Sequence, residues 1–149
     1  MLGSGGSATL TAGSDLTGLA GTSTGTSSTA FGRANVTATT AINATAGGLV
    51  QLGSAIAGTG LTVIAGSSTS DGSIDVTTAQ AVGALALTAT AIAPSADAAH
   101  DGDILIGTAS AGTTLLISNV SGGGDSGNIV SGALSAGGDA KIEIGRAHV

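Results

Sequence analysis

At 149 residues the chain is long enough for one domain and too short to argue for two. It has 8% charged residues, 1% aromatics, 27 glycines, one proline and no cysteine, with a net charge of −6. Arg33, Lys141 and Arg146 are the only cations, which removes the electrostatic basis for nucleic-acid binding and for attraction to an anionic membrane. The absence of cysteine excludes disulfide and thiolate chemistry, and no apolar run is long enough for a membrane-inserted helix.

Much of the 42% hydrophobic fraction is alanine, which buries little area per residue and invites a reading of disorder. Two features oppose it. Mean hydropathy is positive, whereas disordered chains are rich in charge and proline, and the larger apolar residues recur in short β-branched clusters.

In chain order, Ala8-Thr9-Leu10-Thr11 and Asn35-Val36-Thr37-Ala38 read as strands of one type, called second here. Ser14-Asp15-Leu16-Thr17 reads as a strand of the other, first type. The Gly/Ser/Thr run Gly21 to Thr29 reads as an insertion, and spacing alone leaves the register open over residues 1–46.

From Gly48 onward a repeat sets in. Gly48-Leu49-Val50-Gln51-Leu52, Gly72-Ser73-Ile74-Asp75-Val76, Gly102-Asp103-Ile104-Leu105-Ile106 and Gly127-Asn128-Ile129-Val130 share one pattern: Gly, a spacer, a β-branched residue, then strand alternation. Each is followed by a second segment: Ala57-Gly58-Thr59-Gly60-Leu61-Thr62-Val63, Val82-Gly83-Ala84-Leu85-Ala86-Leu87, Ala111-Gly112-Thr113-Thr114-Leu115-Leu116-Ile117 and Ala136-Gly137-Gly138-Asp139-Ala140-Lys141-Ile142. Val50 to Leu61, Ile74 to Leu85, Ile104 to Leu115 and Ile129 to Ala140 each span 11 residues, while the return legs span 13, 19 and 14.

A constant leg predicts a tight corner between strands on adjacent faces of a coil, and a variable leg predicts external insertions. The longest return leg, Ala93 to Asp101, holds the only proline and reads as an external loop. The expected fold is all-β: a right-handed parallel β-helix, or β-solenoid, of about 24–30 residues per coil, with Gly supplying positive φ angles at corners. Recurrent glycine and the lack of apolar stripes at period 3.6 exclude helices. A β-sandwich needs longer alternating strands and larger inward side chains.

The pattern G-[DSN]-I-x-[VI] followed by AG-x-x-L-x-[VIL], clearest in Gly102 to Gly107 with Ala111 to Leu115, resembles the haemagglutinin-type repeats of filamentous, two-partner-secreted exoproteins. The resemblance covers Gly47 to Ile142 well and the first third loosely, and its motifs are degenerate. It implies secretion to the cell surface through an outer-membrane secretion partner, and a long fibre whose other parts contact a host or cell-surface receptor. Neither a secretion domain nor a tip domain is present, so the resemblance assigns this chain to the shaft, flanked by adjacent coils of the same parent chain.

Enzymatic solenoids set carboxylates and cations in a groove with aromatic rings. Here Phe31 is the only aromatic, and Asp71 with Asp75, or Asp101 with Asp103, read as corner residues, so no catalytic residue is expected. Gly122-Gly123-Gly124-Asp125 is a lone approximation to a calcium-binding nonapeptide, and Asp71, Asp101 and Asp125 read as solvated corners. His100 has no companion at metal-ligand spacing, so no metal or cofactor is expected. An ice- or carbohydrate-surface-binding solenoid is the alternative reading. Its Thr-x-Thr pairs begin at Thr9, Thr22, Thr37 and Thr88, with irregular spacings of 13, 15 and 51.

The last residues resemble something other than protein. Ile144 to Val149 is the translation of ATC GGA AGA GCA CAC GTC, a stretch of a common sequencing adapter. The expected organisation is therefore a solenoid segment over 1–143, truncated by an adapter-derived 144–149, with the parent frame continuing beyond Ile142. The expected role is a structural, non-catalytic shaft segment of a large secreted bacterial adhesin, extracellular and without membrane insertion.

Overall fold

Short runs of β-branched and small residues, broken every few positions by glycine, can satisfy their backbone groups only by pairing with other runs. The computed structural model describes residues 8–12, 22–24, 26–30, 33–92, 102–121 and 127–145. Among them every regular element is a strand: β1 (Ala8–Ala12), β2 (Thr22–Thr24), β3 (Thr26–Ala30), β4 (Arg33–Ala38), β5 (Ile42–Ala46), β6 (Val50–Ala57), β7 (Leu61–Ala65), β8 (Ile74–Ala81), β9 (Leu85–Ala91), β10 (Ile104–Ala111), β11 (Leu115–Ser121), β12 (Ile129–Ala136) and β13 (Ala140–Ile144).

The strands form two stacked sheets, ordered β13-β11-β9-β7-β5-β1-β2 and β12-β10-β8-β6-β4-β3. Successive strands of one sheet come from successive coils and run parallel, apart from β1·β2 and β3·β4, which are antiparallel. The chain is a parallel β-solenoid, as its repeat predicts.

Register stacks equivalent residues into columns. Val50, Ile74, Ile104 and Ile129 align in one sheet, and Val63, Leu87, Ile117 and Ile142 in the other. Burying each large residue contributes about 1.5–3 kcal/mol. Alanine columns, such as Ala57, Ala81 and Ala111, fill the narrow end of the core next to the turn.

The invariant 11-residue leg is an eight-residue strand followed by a three-residue turn, the tight corner that its constant spacing predicts. Inside each long strand the alternation slips by one, with burial at the first, third, sixth and eighth residues. The parallel register passes over Gly53, Thr77, Gly107 and Gly132 at the slip. Every coil slips at the same place, so each strand changes face without losing register with its neighbours. Strict period-2 alternation stops at that slip.

The turn column holds Gly58, Val82, Gly112 and Gly137, so the Ala-Gly motif of the second coil is displaced by one residue, with Gly83 a step later. At Gly112 an added Cβ would lie 1.8 Å from the Val82 carbonyl oxygen of the coil below. The backbone ladder continues through the turns, with Gly112 N donating to Ala81 O at 3.0 Å and Gly137 N to Ala111 O at 2.9 Å. Positive φ, expected at corners, occurs at Gly66 (81°) and Gly102 (83°), both on the return leg.

The first third departs from its sequence reading in three ways. Asn35–Ala38 lies in β4, paired with β6, so it belongs to the first type and not the second. β5 was not legible at all: Ile42-Asn43-Ala44-Thr45-Ala46 has one large apolar residue, and its inward alanines carry no strand signal of their own. The Gly21 to Thr29 run is not a plain insertion, because it supplies β2 and β3, which end the two sheets antiparallel. Ala8–Thr11 does sit in the second-type sheet, paired with β5. Ser14–Thr17 and the Ala93 to Asp101 loop lie outside the described residues.

Candidate functional site

The first strand of each coil begins at an edge where the repeat places its Ser, Asp and Asn residues. The position just before the β-branched anchor is Leu49, Ser73, Asp103 and Asn128 in successive coils. Ser73, buried, accepts through Oγ from the Asp103 backbone N–H at 3.1 Å. Asp103 in turn accepts through Oδ1 from the Asn128 N–H at 2.5 Å. Each side chain thus satisfies the N–H of its own counterpart in the next coil. This is the chemistry behind Ser, Asp or Asn after the opening glycine, which sequence reading took for a mere spacer. A short side chain with an acceptor oxygen fits, whatever its charge.

Asp71 accepts through Oδ1 from the Ile92 N–H at 2.5 Å, holding the end of the β9 leg. Asp75 points outward beside Gln51, whose Nε2 donates to its Oδ2 at 3.4 Å, and its cross-strand neighbour in the next coil is Leu105. Leu49, Gln51, Ser73, Asp75, Asp103 and Leu105 surround a shallow groove of about 240 Å³ on this face. Its lining has hydrogen-bond acceptors and leucine side chains, but neither a cation nor an aromatic ring. Both carboxylates already carry hydrogen bonds of the coil.

Asp101, Asp125 and His100 lie outside the described residues, as do Gly122 to Gly124, Arg146 and His148. Among the described residues no group of three or more His, Asp or Glu is placed to hold a metal ion. Lys141 pairs with Glu143 at 2.6 Å on the outer face of β13.

The Thr-x-Thr pairs do not form one rank. Thr9-Leu10-Thr11, Thr22-Ser23-Thr24 and Thr88-Ala89-Thr90 lie in β1, β2 and β9 of one sheet, whereas Thr37 is in β4 of the other and Thr39 is in a turn. Thr88 has Ile64 and Ser118 as ladder neighbours, and Thr90 has Val120. Hydroxyl contact along a ladder does occur between Thr108 and Thr78, at 3.5 Å.

One buried polar side chain escaped the sequence reading. Asn119 replaces the alanine of its column (Ala46, Ala65 and Ala89 in earlier coils). Its Nδ2 donates to the Gly102 carbonyl oxygen, while its Oδ1 has no partner. The signal was an Asn aligned with alanines, which becomes visible once the β9–β11 register is known.

No family model, curated protein or solved structure matches this chain.

Proposed function

We propose that the chain is a structural shaft segment of a large secreted bacterial surface exoprotein of the adhesin type, a spacer that carries no catalysis. The observation that supports it is the use to which the polar residues of the repeat are put. Ser73, Asp103 and Asp71 spend their oxygens on backbone N–H groups of neighbouring legs, so the repeat builds stack and not a reacting constellation. In this reading the chain is displayed outside the cell by an outer-membrane secretion partner, and receptor contact belongs to other parts of the parent fibre.

Recovering the source DNA on both sides of the coding segment tests this. A frame that continues into further coils of 24–30 residues, with a secretion domain upstream, is the expected result. A frame bounded at Met1 and Val149 by its own start and stop codons would overturn it.

A further inference from the structure

Of the four asparagines in the chain, three begin the tripeptide Asn-x-Ser/Thr: Asn35-Val36-Thr37, Asn43-Ala44-Thr45 and Asn119-Val120-Ser121. That tripeptide is the acceptor pattern for an N-linked sugar, with the asparagine amide as nucleophile and the hydroxyl two residues on as the second recognised group. In a strand, residues two apart share a face, so the pattern is either offered outward or turned into the core. The three copies differ in this respect.

Asn119 is turned inward. It is 2% exposed, its Nδ2 donates to the Gly102 carbonyl oxygen, and an added Cβ on Gly102 would lie 3.0 Å from that nitrogen. A sugar on this amide would displace the carbonyl and has no space in the folded coil. Asn35 is half-buried, at the register shift of β4 against β6. Asn43 and Thr45 are both exposed on the outer face of β5, with Ala44 buried between them. Thr9 and Thr62 are the ladder neighbours of Asn43, so short uncharged side chains flank it on both sides. Among the described residues the Asn43 side chain forms no hydrogen bond. Its column continues through Thr62, Ala86, Leu116 and Lys141, so the stack does not require an asparagine there.

We propose that Asn43 is an acceptor for an N-linked sugar projecting from β5, whereas Asn119 is a match to the same pattern that the fold closes. The donor class is a sugar activated at its anomeric carbon as a diphosphate ester. Asn43 Nδ2 attacks that carbon, and a C–N bond forms as the C–O bond to phosphate breaks. The diphosphate leaves with the electron pair, and the amide loses one proton to a base of the transferase. The proposal rests on the tripeptide and its exposure, whether or not the shaft reading holds.

Co-production of the whole chain with a soluble N-glycosyltransferase that recognises Asn-x-Ser/Thr, drawing on UDP-glucose, tests it. Peptide mass mapping is applied separately to the soluble, folded chain and to any insoluble chain. The expected result is a hexose on Asn43 of the soluble chain, with Asn119 modified only in insoluble chain or not at all. Thr45→Ala should lower occupancy of Asn43 at least about tenfold, while Thr45→Ser, which keeps the hydroxyl, should preserve it. Circular dichroism and limited proteolysis check that these exposed substitutions leave the strands in place. A folded chain bare at Asn43, a hexose confined to Asn35, or occupancy indifferent to Thr45→Ala would overturn the proposal. So would a folded, soluble chain modified at Asn119.

Discussion

The β8–β11 coils and the terminal β12–β13 coil are built from the same columns, yet they differ in what those columns do. Ile104 and Ile117 are wholly buried, while their counterparts Ile129 and Ile142 are partly and half exposed. Residue type and register agree at these positions, and what differs is the presence, among the described residues, of a coil on the far side. In a solenoid, burial belongs to the stack and not to the repeat, because each coil covers only its neighbours. The hydrophobic stabilisation of an isoleucine here therefore depends on its position along the stack.

Substitutions can break that contrast, and the largest effect is expected in the interior. Leu87→Ala removes a side chain with no exposed surface and leaves a cavity in the core, at a cost of about 2–5 kcal/mol in urea unfolding. Gly112→Ala comes next. Its Cβ meets the fixed Val82 carbonyl of the coil below, not a flexible side chain, and overpacking of this kind costs about 1–3 kcal/mol. A cost below about 0.5 kcal/mol would mean that coils shift apart more easily than this ladder suggests.

Ile142→Ala should cost less than about 1 kcal/mol, because half of the side chain is already in water. An effect as large as that of Leu87→Ala would show that the end coil is covered. The smallest effect is expected at Asn119→Ala, within about 0.5 kcal/mol. It loses the bond to the Gly102 carbonyl but also removes a buried oxygen that has no partner, and alanine is the residue of the three preceding coils. Amide hydrogen exchange would sharpen the comparison without mutation: β8–β11 amides should exchange more slowly than those of β13, whose ladder has one neighbour among the described residues.

The parallel stack was legible because spacing repeated. Four 11-residue legs with a β-branched residue at one end and leucine or alanine at the other leave little besides a coil, and the register between coils follows the anchors Val50, Ile74, Ile104 and Ile129 as expected. Legibility failed where the signal was carried by alanine. Ile42–Ala46 is as regular a strand as Leu61–Ala65, but alanine occupies two of its three inward positions and alternation there has no hydrophobic contrast to display. Asn35–Ala38 was placed in the wrong sheet for a related reason: it is the alanine-ended half of a first-type strand, seen without its large-residue half. Of the candidate residues, the sequence showed that Asp71 and Asp103 sit at corners, but not that each accepts an N–H from a neighbouring leg.

By itself the sequence determined the class of fold, the length of the coil and the identity of the buried anchors, since these depend on periodic spacing and on side-chain volume, both one-dimensional quantities. Only the tertiary structure decided which strand belongs to which sheet in the first third, where the long strands slip by one, and which carbonyl each turn glycine must clear. Those properties arise from what lies one coil away. That neighbour is between 18 and 34 residues distant in the chain but one strand spacing, about 4.8 Å, distant in space.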